Sequence, residues 1–275
     1  MINATDSKGT FYKLNQKEGI PIVFIHGVGL DHNIWDPQIN EFDNTVLIYD
    51  ILGHGRTPLN KEKISFDDFS DQIIHLIDEL KFSKIHLIGF SIGSLIARNF
   101  ATRFSDRLKS LTLLCSIFNR SDNEQKIVNE RFEQTKKDKK LTKDALNRWF
   151  NKDFIEKNPL ISDKIFSILN NNNMDNFIKV YSLFVNHKDN EKFENINVKT
   201  LVMTGEGDVG STPEMSDNLS KKIKNSEVKI IPVGKHLCSI ECSYDVNNAI
   251  KDHIQNAWIK KIQNVYRGTM GWLRY

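Results

Sequence analysis

The stretch IHLIGFSIGSL, residues 85–95, decides how the rest of the chain is read. Its first four residues form an apolar run too short for a helix, the signature of a strand buried on both faces of a parallel sheet. From Leu95 to Phe104 the pattern turns helical. Between the two lies Gly89-x-Ser91-x-Gly93, and here the spacing carries chemistry. A serine held on a sharp strand-to-helix turn leaves no space for side chains two positions to either side, so both must be small. The turn holds the hydroxyl out at the carboxyl end of the sheet, beside the positive end of a helix. Ser91 is therefore the candidate nucleophile.

Working outward, similar runs recur at 20–25 (IPIVFI), 45–49 (TVLIY), 111–115, 198–204 (VKTLVMT) and 228–233 (VKIIPV). Phe11 to Leu14 reads as a further strand at the sheet edge. Amphipathic helical spacing fills the gaps, for example Phe66, Phe69, Ile73, Ile77 and Leu80 on one face. Strands alternating with helices predict an α/β domain with a mostly parallel, doubly wound sheet. One segment breaks the rhythm. Residues 119–195 carry helical patterns throughout, far more chain than the dozen or so residues a crossover needs. They are expected to form an inserted helical lid on a core made of 1–118 and 196–275. The four asparagines at 170–173 read as compositional drift over a loop.

A serine hydroxyl attacks well only when a base removes its proton, and the base needs a carboxylate to orient it. In a sheet of this kind the expected chain order is serine, acid, histidine. The fifth run leads into Gly205-Glu206-Gly207-Asp208 and the sixth into Gly234-Lys235-His236. Asp208 and His236 thus fall in order just past two strands, where ligands of open α/β sheets bind. Glu206 competes with Asp208 for the orienting role. The remaining requirement is a pair of N–H donors for the oxyanion that forms when serine adds to a carbonyl. One should be Ile92, directly after the nucleophile. The other should be Val28, in the glycine-flanked loop His26-Gly27-Val28-Gly29.

Together HGVG (26–29), DILGHGRT (50–57), GFSIG (89–93), GEGD (205–208) and GKH (234–236) make the chain resemble the α/β-hydrolase superfamily, with 119–195 in the position of that family's lid. The stretches HGVGLDHNIW (26–35) and GEGDVGSTPEM (205–215) are similar to the small capped branch of 3-oxoadipate enol-lactonases and related carboxylesterases. That resemblance implies a serine hydrolase of a small ester or lactone, acting without a cofactor. The chain departs from the branch in two places: Ser94 stands where a third glycine is common, and Lys235 where a small residue is usual. Superfamily dehalogenases and epoxide hydrolases carry an aspartate at the elbow, and prolyl aminopeptidases show HGGPG where this chain has HGVGL. Carbon–carbon bond hydrolysis on the same triad and a ligand-binding receptor with little turnover remain the alternatives.

Composition narrows the classes further. In 275 residues, 38 basic and 35 acidic side chains leave a net charge of +3, too mild to advertise nucleic-acid or membrane binding. No apolar run approaches the ~20 residues that span a bilayer, and the first residues lack a secretory signal pattern. The sequence shows no Walker loop, metal-ligand cluster or dinucleotide fingerprint. Cys115, Cys238 and Cys242 read as reduced thiols of a cytoplasmic protein, with the last two close enough in sequence for one helix to bring them together. In the lid, Trp149, Phe150, Phe154, Phe166, Phe177, Tyr181 and Phe184 either wall an acyl pocket or form the lid's own core. A tail, 260–275, with three aromatic residues among basic ones, could serve a homodimer.

Overall fold

The computed structural model describes residues 1–255; the tail at 260–275 lies outside them. Eight strands form one sheet in the order β1-β2-β4-β3-β5-β6-β7-β8: β1 Ile2–Thr5, β2 Phe11–Asn15, β3 Ile22–Ile25, β4 Val46–Tyr49, β5 Ile85–Phe90, β6 Leu108–Leu114, β7 Lys199–Gly205 and β8 Ser226–Ile231. From β4 to β8 neighbours run parallel, whereas β1 and β2 are antiparallel. The strand expected at the edge, β2, sits one place in, because β1 pairs along it from Ile2↔Leu14 to Thr5↔Phe11. The β1 sequence INAT is mostly exposed and lacks an apolar face, so periodicity gives no sign of it. β8 stops at Ile231 rather than running on to Val233, since Pro232 has no N–H for the ladder.

Alternate residues of each central strand serve opposite layers, as the two-residue period of a strand demands. Val23 and Ile25 of β3 pack into one cluster with α1 (Phe66–Glu79), α2 (Ile92–Arg103) and α8 (Pro213–Ser220). Ile22 and Phe24 face the other way, against Trp35, Phe42 and the helix over 243–255. Both central positions are fully buried, which explains why these strands read as unbroken apolar runs.

Between β6 and β7 the chain is helical: α3 Asp122–Asp138, α4 Asp144–Trp149, α5 Lys152–Lys157, α6 Pro159–Asn170 and α7 Met174–Val185. Arg98 on α2, fully buried, ties down both ends of this excursion. Its guanidinium donates to the Ile117 carbonyl and to Asp189 and Glu191, while Asp189 also accepts the Asn119 N–H. The asparagine run ends α6 and forms the turn expected there, and its side chains are in use. Asn172 donates to the Ile168 and Leu169 carbonyls that end α6, and Asn173 caps α7 by accepting the Asn176 N–H.

The topology also fixes where ligands can enter. β3 pairs with β4 on one side and β5 on the other, so successive crossovers leave it in opposite directions. The crevice at such a switch point lies outside the carboxyl ends of β3 and β5. Those ends carry the loop at 26–29 and Ser91.

Candidate active site

Ser91 closes β5 and caps α2 with φ 56° and ψ −120°. A non-glycine residue held there stores roughly 1–3 kcal/mol of backbone strain, which the surrounding packing must offset. The spacing argument for small neighbours holds in atomic detail. A Cβ on Gly89 would stand 2.1 Å from the Gly93 carbonyl oxygen, and one on Gly93 2.5 Å from that of Ile25. Ser91 N–H donates to the Leu114 carbonyl, locking the elbow to β6.

The acid and the base meet. His236 Nδ1 lies 2.7 Å from Asp208 Oδ2. Asp208 is fixed from behind: its Oδ1 accepts the N–H groups of Gly210 and Ser211, and its Oδ2 the Thr204 hydroxyl. This is the Asx-turn geometry a short aspartate side chain favours. Glu206, the competing carboxylate, instead accepts the Val233 N–H and shapes the histidine loop. Burial opposes charge on both partners, yet each sustains the other. Asp208 holds the imidazole above its ordinary value, and His236 holds the carboxyl below its own.

Ser91 adjoins this pair through its chain neighbour Phe90. Among the described residues no hydrogen bond joins Ser91 Oγ to His236, a contact that is commonly loose until substrate arrives. Their neighbourhood is set by packing: the Phe90 ring centroid is 5.0 Å from that of His236, and Trp149 of α4 stands over the imidazole at 6.2 Å. Cys115, directly after the Leu114 that holds Ser91, donates to the His236 carbonyl. Burial pushes its thiol well up, so it is no rival nucleophile. Its sulfur faces Cys238 at 3.9 Å; Cys238 and Cys242 share one helical turn as expected, with the Cys242 thiol pointing to the Pro232 carbonyl.

The loop at 26–29 abuts the elbow. A Cβ on Gly27 would meet the Phe90 ring at 2.9 Å and Ser91 Cβ at 3.4 Å. Two buried histidines from beneath set the loop's shape. His26 accepts the Ile51 N–H on Nε2 and hydrogen-bonds the Gly27 carbonyl through Nδ1; His54 accepts the Gly29 N–H on Nε2. Each must be neutral to accept, and burial enforces this, taking His54 down to about 3. Asp50 anchors the set through the His32 ring and the Arg56 N–H. None of these bonds uses the Val28 N–H. These four residues escaped sequence reading except as motif members, because their partners lie in other loops.

Of the aromatic residues between β6 and β7, Phe132, Phe177 and Phe184 each contact Tyr181, and Phe150 stacks on Phe154. Trp149 stands against the His236 ring, and Phe177 lies against Gly29. Two groups bring metal-ligand atoms together, Cys115/Asp208/His236 and His187/Asp189/Glu191. The first is already knit by its own hydrogen bonds, and the second already encloses the Arg98 cation.

A family model described as the alpha/beta hydrolase fold matches residues 20–241, four-fifths of the chain. The protein is an α/β hydrolase. This hydrolase resembles the 3-oxoadipate enol-lactonases: it is 25% identical to 3-oxoadipate enol-lactonase 1 of Acinetobacter baylyi, across 88% of its own length and 91% of that protein's. It is 29% identical to an (E)-2-((N-methylformamido)methylene)succinate hydrolase of the same organism, across 91% and 94%. Among solved structures, the enol-lactonase of Burkholderia xenovorans LB400 superposes with a TM-score of 0.80 at 20% identity, covering 92% of this hydrolase and all of that chain. Among the described residues no helix is long and apolar enough to cross a membrane.

Proposed function

We propose that this α/β hydrolase cleaves a small carboxylic ester or lactone through an acyl-serine intermediate. His236 Nε2 takes the proton from Ser91 as the hydroxyl oxygen attacks the carbonyl carbon. Asp208 fixes the imidazole tautomer and stabilises its charged form. The N–H groups of Val28 and Ile92 receive the oxyanion. When the tetrahedral intermediate collapses, His236 returns the proton to the leaving alkoxide. It then activates a water that releases the acid and restores Ser91. The segment 119–195 acts as the lid, with Trp149 over the base and Phe177 over the oxyanion loop.

The observation that carries this reading is the oriented base, His236 held through Nδ1 by a buried carboxylate, together with the strained backbone of Ser91 at the strand-to-helix turn. Two relatives are named for derivatives of dicarboxylic acids, succinate and 3-oxoadipate, so carboxylate-bearing enol esters and lactones belong first in a screen. The test is turnover of short p-nitrophenyl esters, lactones and vinylogous diketone acids by wild type and Ser91→Ala. Ester or lactone hydrolysis that vanishes in Ser91→Ala supports the proposal. Turnover confined to the diketone acids shifts the chemistry to carbon–carbon cleavage, and turnover that survives Ser91→Ala overturns the assignment.

A further inference from the structure

We propose that Asn172, on the turn between α6 and α7, is a positioning residue that makes the oxyanion loop depend on the seating of the helical insertion. Gly29 is gripped from both sides. Its N–H donates to His54 Nε2 at 2.9 Å, and its carbonyl accepts Asn172 Nδ2 at 2.7 Å. The Leu30 N–H closes the turn onto the Gly27 carbonyl. The peptide planes on either side of Gly29 are therefore fixed, one by the core and one by the insertion. Val28 lies between these anchors and the elbow, with its N–H unused by any of them.

Two further observations show that the insertion bears on this point. Gly29 adopts φ +75°, a conformation that side-chain-bearing residues avoid. A Cβ there would stand 2.8 Å from the Phe177 ring and 3.1 Å from Leu169. The α6–α7 elbow thus lies directly on the loop. The Asn172 amide is also fully committed: its two N–H bonds serve Gly29 together with the Ile168 and Leu169 carbonyls. The same side chain that ends α6 reaches the oxyanion loop, so displacing the insertion withdraws the donor. A Gly29 carbonyl freed on that side lets the Gly29–Leu30 peptide rotate, which draws the Leu30 N–H off the Gly27 carbonyl and so loosens the peptide that carries the Val28 N–H. Asn172 touches no reacting atom; it acts through the backbone of Val28 and Gly29.

This inference rests on the acyl-serine reading, and the experiment separates the two. Asn172→Asp puts an oxygen where the donor was, against the Gly29 carbonyl; Asn172→Ala removes the donor without adding charge. Removing a whole oxyanion donor costs about 10²–10³ in kcat. A displaced donor is expected to cost roughly 10- to 100-fold in kcat, with KM for p-nitrophenyl butyrate changed less than about threefold. Inhibition by an alkyl boronic acid, whose tetrahedral adduct presents an oxyanion, should weaken by the same factor. Asn171→Asp, one position away and exposed, is the charge control and should leave kcat unchanged. If Asn172→Asp does not fold, Asn172→Ala carries the measurement. Wild-type kcat and boronate affinity in a folded Asn172 variant overturn the positioning role while leaving the acyl-serine reading intact. Turnover that persists in Ser91→Ala overturns the reading itself.

Discussion

Asp208→Asn is the substitution whose consequence the geometry specifies most fully. The two N–H groups of Gly210 and Ser211 point at one carboxylate oxygen, and the His236 ring nitrogen and Thr204 hydroxyl at the other. In an asparagine the N–H donors select the amide oxygen for their side. The NH2 group is then forced to face His236 Nδ1. Two donors cannot share that contact, so the imidazole must accept at Nδ1 and carry its proton on Nε2. In that tautomer it cannot take the serine proton. The equivalent change in a protease triad lowers kcat about 10⁴-fold, which at about 1.36 kcal/mol per decade is about 5.5 kcal/mol of barrier.

The pH profile gives an independent check of the same pair. Only neutral His236 is a base, and Asp208 raises its pKa above the ordinary 6.5, so kcat/KM should rise with pH through a midpoint above 6.5. Without the carboxylate, burial is opposed only by the nearby Cys115 thiol, and the midpoint should fall below that of the wild type. Stability has its own sign. The raised histidine contributes stability that is complete below 6.5 and lost as pH climbs through its folded value. The depressed aspartate contributes above 3.8 and loses this as pH falls. The stability gap between wild type and variant should therefore be widest between those two values. The assay is p-nitrophenyl acetate hydrolysis from pH 5 to 10, with urea unfolding at matched pH. A loss below tenfold with an unmoved acid limb would refute the argument that Asp208 orients the base.

Other expectations follow from single contacts. Gly93→Ala drives a methyl to within 2.5 Å of the Ile25 carbonyl oxygen and 2.7 Å of that of His26. Neither is a flexible end, so a loss of about 3 kcal/mol, the upper part of the overpacking range, should appear in the urea midpoint. Arg98→Met leaves Asp189 and Glu191 facing each other with only His187 between them. Breaking a buried pair from one side costs about 3–5 kcal/mol, and the low end is expected because Asp189 keeps some solvent. Chemical denaturation reads it. Glu206→Gln retains an oxygen for the Val233 N–H and should change kcat less than threefold, in contrast to Asp208→Asn.

What the sequence discloses, and what it withholds, divides by the range of the forces involved. The elbow is legible because its constraints are local: a four-residue apolar run, a turn, and glycines whose absent side chains the turn itself requires. The buried parallel strands are legible because both their faces are apolar. The oriented Asp208–His236 pair needed only chain order and the rule that loops after strands converge. By contrast, β1 is short and exposed, and it exists only because β2 offers it an open ladder. The bonds of His54 and Asn172 to Gly29 span 25 and 143 residues, and polar contacts over such distances leave no periodic trace. A run of asparagines looks like composition until its members are found capping two helices.

Acyl-serine chemistry in this molecule requires that Ser91 be an activated nucleophile. Treating the protein with a fluorophosphonate at neutral pH and mapping the adduct by peptide mass spectrometry tests this without knowledge of the natural substrate. One adduct on the peptide containing Ser91, lost when His236 is replaced by alanine, is the predicted result. A serine that stays unlabelled, or a label elsewhere that ignores His236, would contradict it.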